Sequence, residues 1–172
     1  MKKGLLIIIL SVFSVSLMAQ GTVVNKYFTE LADDEAFTKV SVSSKMFSLF
    51  TDLETGSATE DEFLKAVSKL KGLKIIVADS IGNAAKMYNK VLIDIQNAGY
   101  EELMSVKDAE ENMKFSIKEK AGKIEELLMV VGGKKRFVLL SLYGEIDLKS
   151  ISKIAKSMKV DGLENLSKID EK

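Results

Sequence analysis

The sequence predicts an α+β fold, a two-layer sandwich in which a mixed sheet ends in a four-strand antiparallel meander and helices lie mainly on one face. Three observations lead there. Before Gly99, stretches with apolar residues at helical spacing alternate with short β-branched or apolar runs. From Tyr100 to Tyr143 the period drops to two. Within that region Ala121-Gly122-Lys123 and Gly132-Gly133-Lys134 are hairpin-turn signals.

Each element follows from its own spacing. Residues 22–34 form a helix through Val24, Tyr27, Phe28 and Leu31, and residues 37–43 a short strand with Val40 and Val42 on one face. Helical spacing returns over 44–53 through Met46, Phe47, Phe50 and Leu53. Thr59 with Glu62 makes a capping box that opens a helix over 60–70, which Gly72 stops. The apolar run 73–78 is a strand buried on both faces. Asp79 or Ser80 then caps a helix through Ile81, Ala84, Ala85, Tyr88, Val91, Leu92 and Ile95, and Gly99 ends it as a C′ glycine. Four strands follow at 101–107, 112–120, 124–131 and 136–143, with Gly144 closing the last. A final helix capped by Asp147 presents Leu148, Ile151, Ile154, Ala155 and Met158. The helices between the first two strands favour parallel pairing there.

The first residues carry an address rather than structure. Lys2 and Lys3 precede an apolar stretch running to Met18, and Ala19-Gln20 ends it. That run is about 15 residues, short of the ~20 a bilayer-spanning helix needs. Residues 1–19 are read as a signal peptide and residues 20–172 as a single α+β domain, although Leu17 stands where a small residue is expected. With no cysteine, neither a lipid anchor nor a disulfide is available, so packing alone holds the exported chain.

Composition excludes whole classes of chemistry. Without Lys2 and Lys3 the chain has 23 basic against 25 acidic residues, which gives no footprint for nucleic acid or an anionic membrane. It lacks histidine, cysteine, proline and tryptophan. Ser-His-Asp and Cys-His catalysis and histidine- or thiolate-bound metals are thereby ruled out. No cofactor is expected, and a metal ion would need oxygen ligands. Stable membrane insertion after removal of the signal is not expected either.

Several motifs remain. Ser68–Lys71 and Ser150–Lys153 have the Ser-x-x-Lys spacing that lets a lysine activate a serine on a helix, and also the spacing of a solvated helix face. Acidic clusters stand at 33–35, 60–62, 101–102 and 108–111, but none has the alternating pattern of a calcium loop. Lys134, Lys135 and Arg136 form a basic tip that can meet an anionic partner, or simply keep a turn soluble and block edge pairing. Asp79-Ser80-Ile81 is similar to an O-glycosylation acceptor of exported bacterial proteins, with Ser80 as the acceptor or merely a helix cap.

KVSVSSKMFSLF (39–50), LKGLKIIV (70–77), YEELMSVKD (100–108), the hairpin from Lys118 to Gly132, VLLSLYGEIDLKSISKIAKSM (138–158) and DGLENL (161–166) occur in that order. This ordered set resembles the exported bacterial family called domain of unknown function 4252 (DUF4252). The resemblance implies a secreted or envelope protein of Gram-negative bacteria. It implies no activity and supplies no catalytic residues. Some relatives look like lipoproteins, an option the missing cysteine removes.

The function expected from all this is non-enzymatic binding or regulation in the periplasm or envelope, by a non-lipidated protein. Its partner would be a protein or an envelope component. The alternative is a carboxylate- or Ser/Lys-based envelope hydrolase.

Overall fold

Alternation of apolar and polar residues needs a sheet that buries one face per side chain set, and the chain builds such a sheet from strands far apart in sequence. The computed structural model describes residues 22–51 and 64–147. Helix α1 (Thr22–Glu30) leads to β1 (Thr38–Ser43), α2 (Ser44–Thr51), β2 (Leu70–Ala78) and α3 (Ala84–Asn97). The meander follows as β3 (Glu101–Lys107), β4 (Glu111–Lys120), β5 (Lys123–Gly133) and β6 (Phe137–Ile146). The strands form one open sheet in the order β1-β2-β6-β5-β4-β3. The Thr59 capping box, Ser150–Lys153 and the helix read from Leu148 to Met158 lie outside the described residues.

The α+β sandwich is as the sequence predicts, with the four-strand meander in place. The mixed sheet is corrected: every pairing is antiparallel. The reason lies in the connection between β1 and β2. Ser43, the last residue of β1, pairs with Gly72 near the start of β2. The end of β1 and the start of β2 thus stand at the same end of the sheet. A parallel pair would need the connection to return to the opposite end.

Each side of the sheet carries a core. On one side α1 and α3 bury Val23, Val24, Tyr27, Ala84, Val91 and Ile95 against Ile76, Leu128, Val130, Phe137 and Leu139. Phe37 meets Phe137 edge-on, with ring centroids 6.5 Å apart, and ties the α1–β1 loop to β6. The other side is apolar in rows: Val40, Ile75, Leu140, Met129, Phe115 and Met104 stand opposite one another across all six strands. There α2 rests through Phe47. Burying each large side chain contributes about 1.5–3 kcal/mol, so the central strands carry most of the stability.

Helix α3 starts at Ala84, later than its apolar spacing suggests. The Ile81 N–H donates to the Lys135 carbonyl, and Ser80 sits at φ 69, so residues 79–83 are a loop fastened to the β5–β6 turn. Ser80 is therefore not the cap. The residue before the helix is Asn83, whose side chain makes no capping hydrogen bond. The helix ends as expected, with Gly99 at φ 74. Gly99 N–H donates to Gln96 and Tyr100 N–H to Ile95, a complete Schellman pair.

The two hairpin signals fare differently. Ala121 (φ 52) and Gly122 (φ 76) are the two-residue turn between β4 and β5. Gly132 and Gly133 instead belong to β5, and the turn is displaced to residues 134–136. Gly132 serves packing, because a Cβ there would stand 2.3 Å from the Cβ of Tyr88 on α3.

Gly132→Ala should lower stability by about 2 kcal/mol or more, because helix and sheet must part to admit the methyl. Gly82→Ala, with nothing within 4 Å of the new carbon, should change it by less than about 1 kcal/mol. Urea midpoints at constant slope measure both.

Candidate functional site

Four of the five strand pairings slip register at the same end of the sheet. The slips fall between Leu70 and Gly72, Glu102 and Met104, Lys118 and Glu119, and Ile124 and Glu126. The β1–β2 pairing has none. A slip of this kind bends a strand and re-aims its side chains. Here it opens a cleft of about 660 Å³ between the start of β2, the β4–β5 turn and the end of β6.

The cleft is built by backbone geometry as much as by side chains. Gly144 adopts φ 140, and a Cβ on it would stand 2.5 Å from the Lys69 carbonyl oxygen. Only glycine lets residues 69–71 cross so close to β6. Glu145 N–H donates to that same carbonyl at 3.1 Å. The crossing brings Lys69 and Lys71 to one rim, while the turn supplies Lys120 and Lys123. Glu145 stands between them, accepting from Lys69 at 2.8 Å and from Lys123 at 2.8 Å. Those hydrogen bonds, Lys123 first, and the two positive charges hold its carboxyl down to about 2. Ser44, Ser68 and Glu125 add polar groups, and Leu70 and Ile124 give apolar surface.

A second polar group is closed to solvent. Glu126 is 4 % exposed and lies on the helix-covered side of β5. Its Oε2 accepts from the Tyr100 hydroxyl at 2.6 Å and its Oε1 from the Ser141 hydroxyl at 2.6 Å. Ser141 is fully buried. Burial, and then the bond to Glu126, push the Tyr100 phenol well above the ordinary tyrosine range. Lys118 lies over the Tyr100 ring at 5.1 Å. Lys74, the cross-strand neighbour of Ser141, turns away, bonding Asn25 Oδ1 and lying over Phe28. A serine donating to a carboxylate has the outline of a nucleophile and its base. This one has no solvent access, both carboxylate oxygens are engaged, and its chemistry is confined to holding β5, β6 and the Tyr100 segment together.

The residues singled out in the sequence are dispersed. Ser68 donates to the Lys65 carbonyl at 2.8 Å, while Lys71 lies across the bulge on β2. Lys134 pairs with Glu110 at 3.3 Å, and Arg136 with Asp79 at 3.5 Å and Glu111 at 3.9 Å. Lys135 and Ser80 are exposed in the adjoining loops. Two of the acidic clusters shape turns. Asp108 Oδ1 accepts from the Glu110 and Glu111 N–H groups, and Asp34 Oδ1 accepts from the Ala36 N–H. Among the described residues no acidic group is placed to hold a metal ion. Of the cleft residues only Ser68 and Lys71 were singled out, as a Ser-x-x-Lys pair; Lys69, Lys120, Lys123 and Glu126 were not. Glu126 carried a signal, as the one of two adjacent glutamates that strand alternation puts on the same face as Leu128 and Val130. The lysines carried none, since only strand register gathers them.

Tyr100→Phe and Ser141→Ala should each cost about 1–3 kcal/mol, because each leaves a buried carboxylate oxygen without its donor. Their pH profiles should differ. A raised tyrosine pKa contributes stability that is complete below the unfolded value, about pH 10, and is lost as pH rises beyond it. Tyr100→Phe should therefore lessen the alkaline loss, which Tyr27 and Tyr88 share through their own raised phenols, and Ser141→Ala should leave it unchanged, in denaturation curves taken between pH 8 and 11 (about one titration range around the tyrosine value).

No described helix is long and apolar enough to cross a membrane. Neither a curated protein nor a solved structure matches the chain. A family model, domain of unknown function (DUF4252), matches residues 27–154, from α1 through the end of the sheet and beyond. The chain belongs to the DUF4252 family.

Proposed function

We propose that this protein is an exported, non-enzymatic binding module that takes an extended segment of a partner protein along β1. The leader at residues 1–19 supports export, and the absence of cysteine supports a lipid-free mature protein. The observation that carries the reading is the contrast between the two sheet edges. Edge strand β3 is guarded in the usual way, with Glu101, Glu102 and Lys107 among its seven residues and a register slip beside Met104. Edge strand β1 (TKVSVS) pairs with β2 without a slip and has a single charge. That charge is drawn aside: the Lys39 ammonium donates to the carbonyls of Leu31, Ala32 and Asp34 on the α1–β1 loop.

The flanking surface suits an added strand. Val40 is 41 % exposed, and α2, which follows β1 directly, exposes Met46 and Leu49. Strand addition draws affinity from main-chain hydrogen bonds and specificity from alternate side chains. An apolar border favours a partner segment with apolar residues at every second position. The sealed state of the Glu126–Ser141 pair and the backbone bond that occupies Ser68 weigh against the hydrolase alternative.

A photo-reactive amino acid at Val40 should capture a partner in native cells, and the same group at Val106 on β3 should not. Capture at Val106 alone, or at neither site, overturns the strand-addition reading. The product should begin at Gln20 and fractionate with the periplasm; recovery of unprocessed chain in the cytoplasm overturns export.

A further inference from the structure

The lysine cleft has a chemistry that strand addition at β1 does not use. We propose that it binds a phosphate monoester carried on a sugar or similar polar body. Three features of the cleft lead to this class of ligand.

The first is charge. Lys69, Lys71, Lys120 and Lys123 face two glutamates, Glu125 and Glu145, an excess of two positive charges in the lining. Glu119 flanks the cleft in sequence, and Asp147 stands near enough for its charge to act on Lys69. Glu145 engages Lys69 and Lys123 and fixes their positions. Among the described residues, Lys71 and Lys120 have no carboxylate partner within salt-bridge distance. Two ammonium groups left over match a dianion. Lysine is a point charge that serves phosphate well, whereas bidentate carboxylate recognition favours arginine. The chain has one arginine, Arg136, and it is paired at the opposite end of β6.

The second is size. About 660 Å³ far exceeds what a bare anion fills and falls within the range of sites for small organic ligands. The third is the mixture of surfaces. Leu70 and Ile124 offer an apolar floor for the C–H face of a ring, while Ser44 and Glu125 offer partners for hydroxyl groups. The cleft is shaped by the Gly144 crossing and three strand irregularities, so it stands formed before a ligand arrives.

The test uses the mature protein purified from native cells, by calorimetry and amide chemical shifts in buffer near physiological ionic strength. The probes are glucose 1-phosphate, inorganic phosphate, glucose, and vesicles of phosphatidylcholine with or without phosphatidic acid. Glucose 1-phosphate should saturate the protein, bind more tightly than inorganic phosphate or glucose, and shift the Ala121 and Gly144 amides. Lys71→Gln and Lys120→Gln should each weaken it roughly tenfold. Lys134→Gln, outside the cleft, should leave affinity unchanged. Lys71 and Lys120 are exposed, so an unchanged melting curve separates lost binding from lost folding. Binding to phosphatidic acid vesicles alone, lost in the same two variants, keeps the phosphate monoester chemistry and assigns a lipid headgroup as its source. No saturable binding to any probe, or binding that survives both lysine substitutions, overturns the proposal. None of these outcomes depends on whether a strand adds to β1.

Discussion

The pairing of β2 with β6 is the contact on which the rest of this molecule depends. It joins Leu70–Ala78 to residues that arrive only after the whole meander has formed. Through it Ile76 meets Leu139 and Ala78 meets Phe137 on the helix side, while Ile75 meets Leu140 and Val77 meets Val138 on the other. Without it, α1, β1 and α2 would have no fixed relation to β3–β6. The pairing leaves β1 at the sheet's edge and sets Lys69 and Lys71 beside Glu145. Such a contact closes a long loop before it returns any stabilisation, so it is expected to form late in folding.

A sheet apolar on both sides faces a difficulty of register. Sliding one strand by a single residue moves every side chain to the other face, and two apolar faces accept the exchange more readily than one apolar and one polar face. Glu126 removes that freedom. In its present register it receives hydroxyl donors from Tyr100 and Ser141. Slipped by one into the place of Leu127, it would face Ile117 and Leu142 with no donor, at a cost of several kcal/mol. Every buried side-chain polar atom among the described residues has a partner. In a chain with no cysteine, this satisfied polar group does what a disulfide could otherwise do, which is to exclude the alternatives.

How much of this was legible follows from what each feature requires. The ends of β3 and β4 were readable because alternation is local, and Lys107 and Lys120 end strands where the pattern ends, whereas β5 runs on to Gly133 and β6 through Gly144 to Ile146. Gly99 was readable because a helix stop needs only one left-handed residue. Pairing direction was not, since a long connection says nothing about which end of the sheet it returns to. Gly132 was misleading because glycine serves both turns and close packing, and only the position of Tyr88 decides between them. The basic tip was visible as three adjacent charges, yet Asp79, Glu110 and Glu111 stand against two of them. The cleft was invisible because Lys69, Lys71, Lys120 and Lys123 belong to three strands' ends and one turn.

Electrostatics explains why the cleft requires both its glutamate and its apolar floor. Two unit charges 4 Å apart in water interact by only about 1 kcal/mol, and salt reduces this further. Four unbalanced lysines would repel one another by comparable amounts and splay apart, losing the convergence that a single phosphate can use. Glu145 prevents this by holding Lys69 and Lys123 from opposite sides, and it keeps its own charge across the physiological range. What remains for a ligand is the two exposed ammonium groups of Lys71 and Lys120 beside a partly apolar surface. Charge alone would then give weak and unselective association. Selectivity must come from the body attached to the phosphate, through contact with Leu70 and Ile124, and that is why the shape set by Gly144 and the strand slips matters more than the number of lysines.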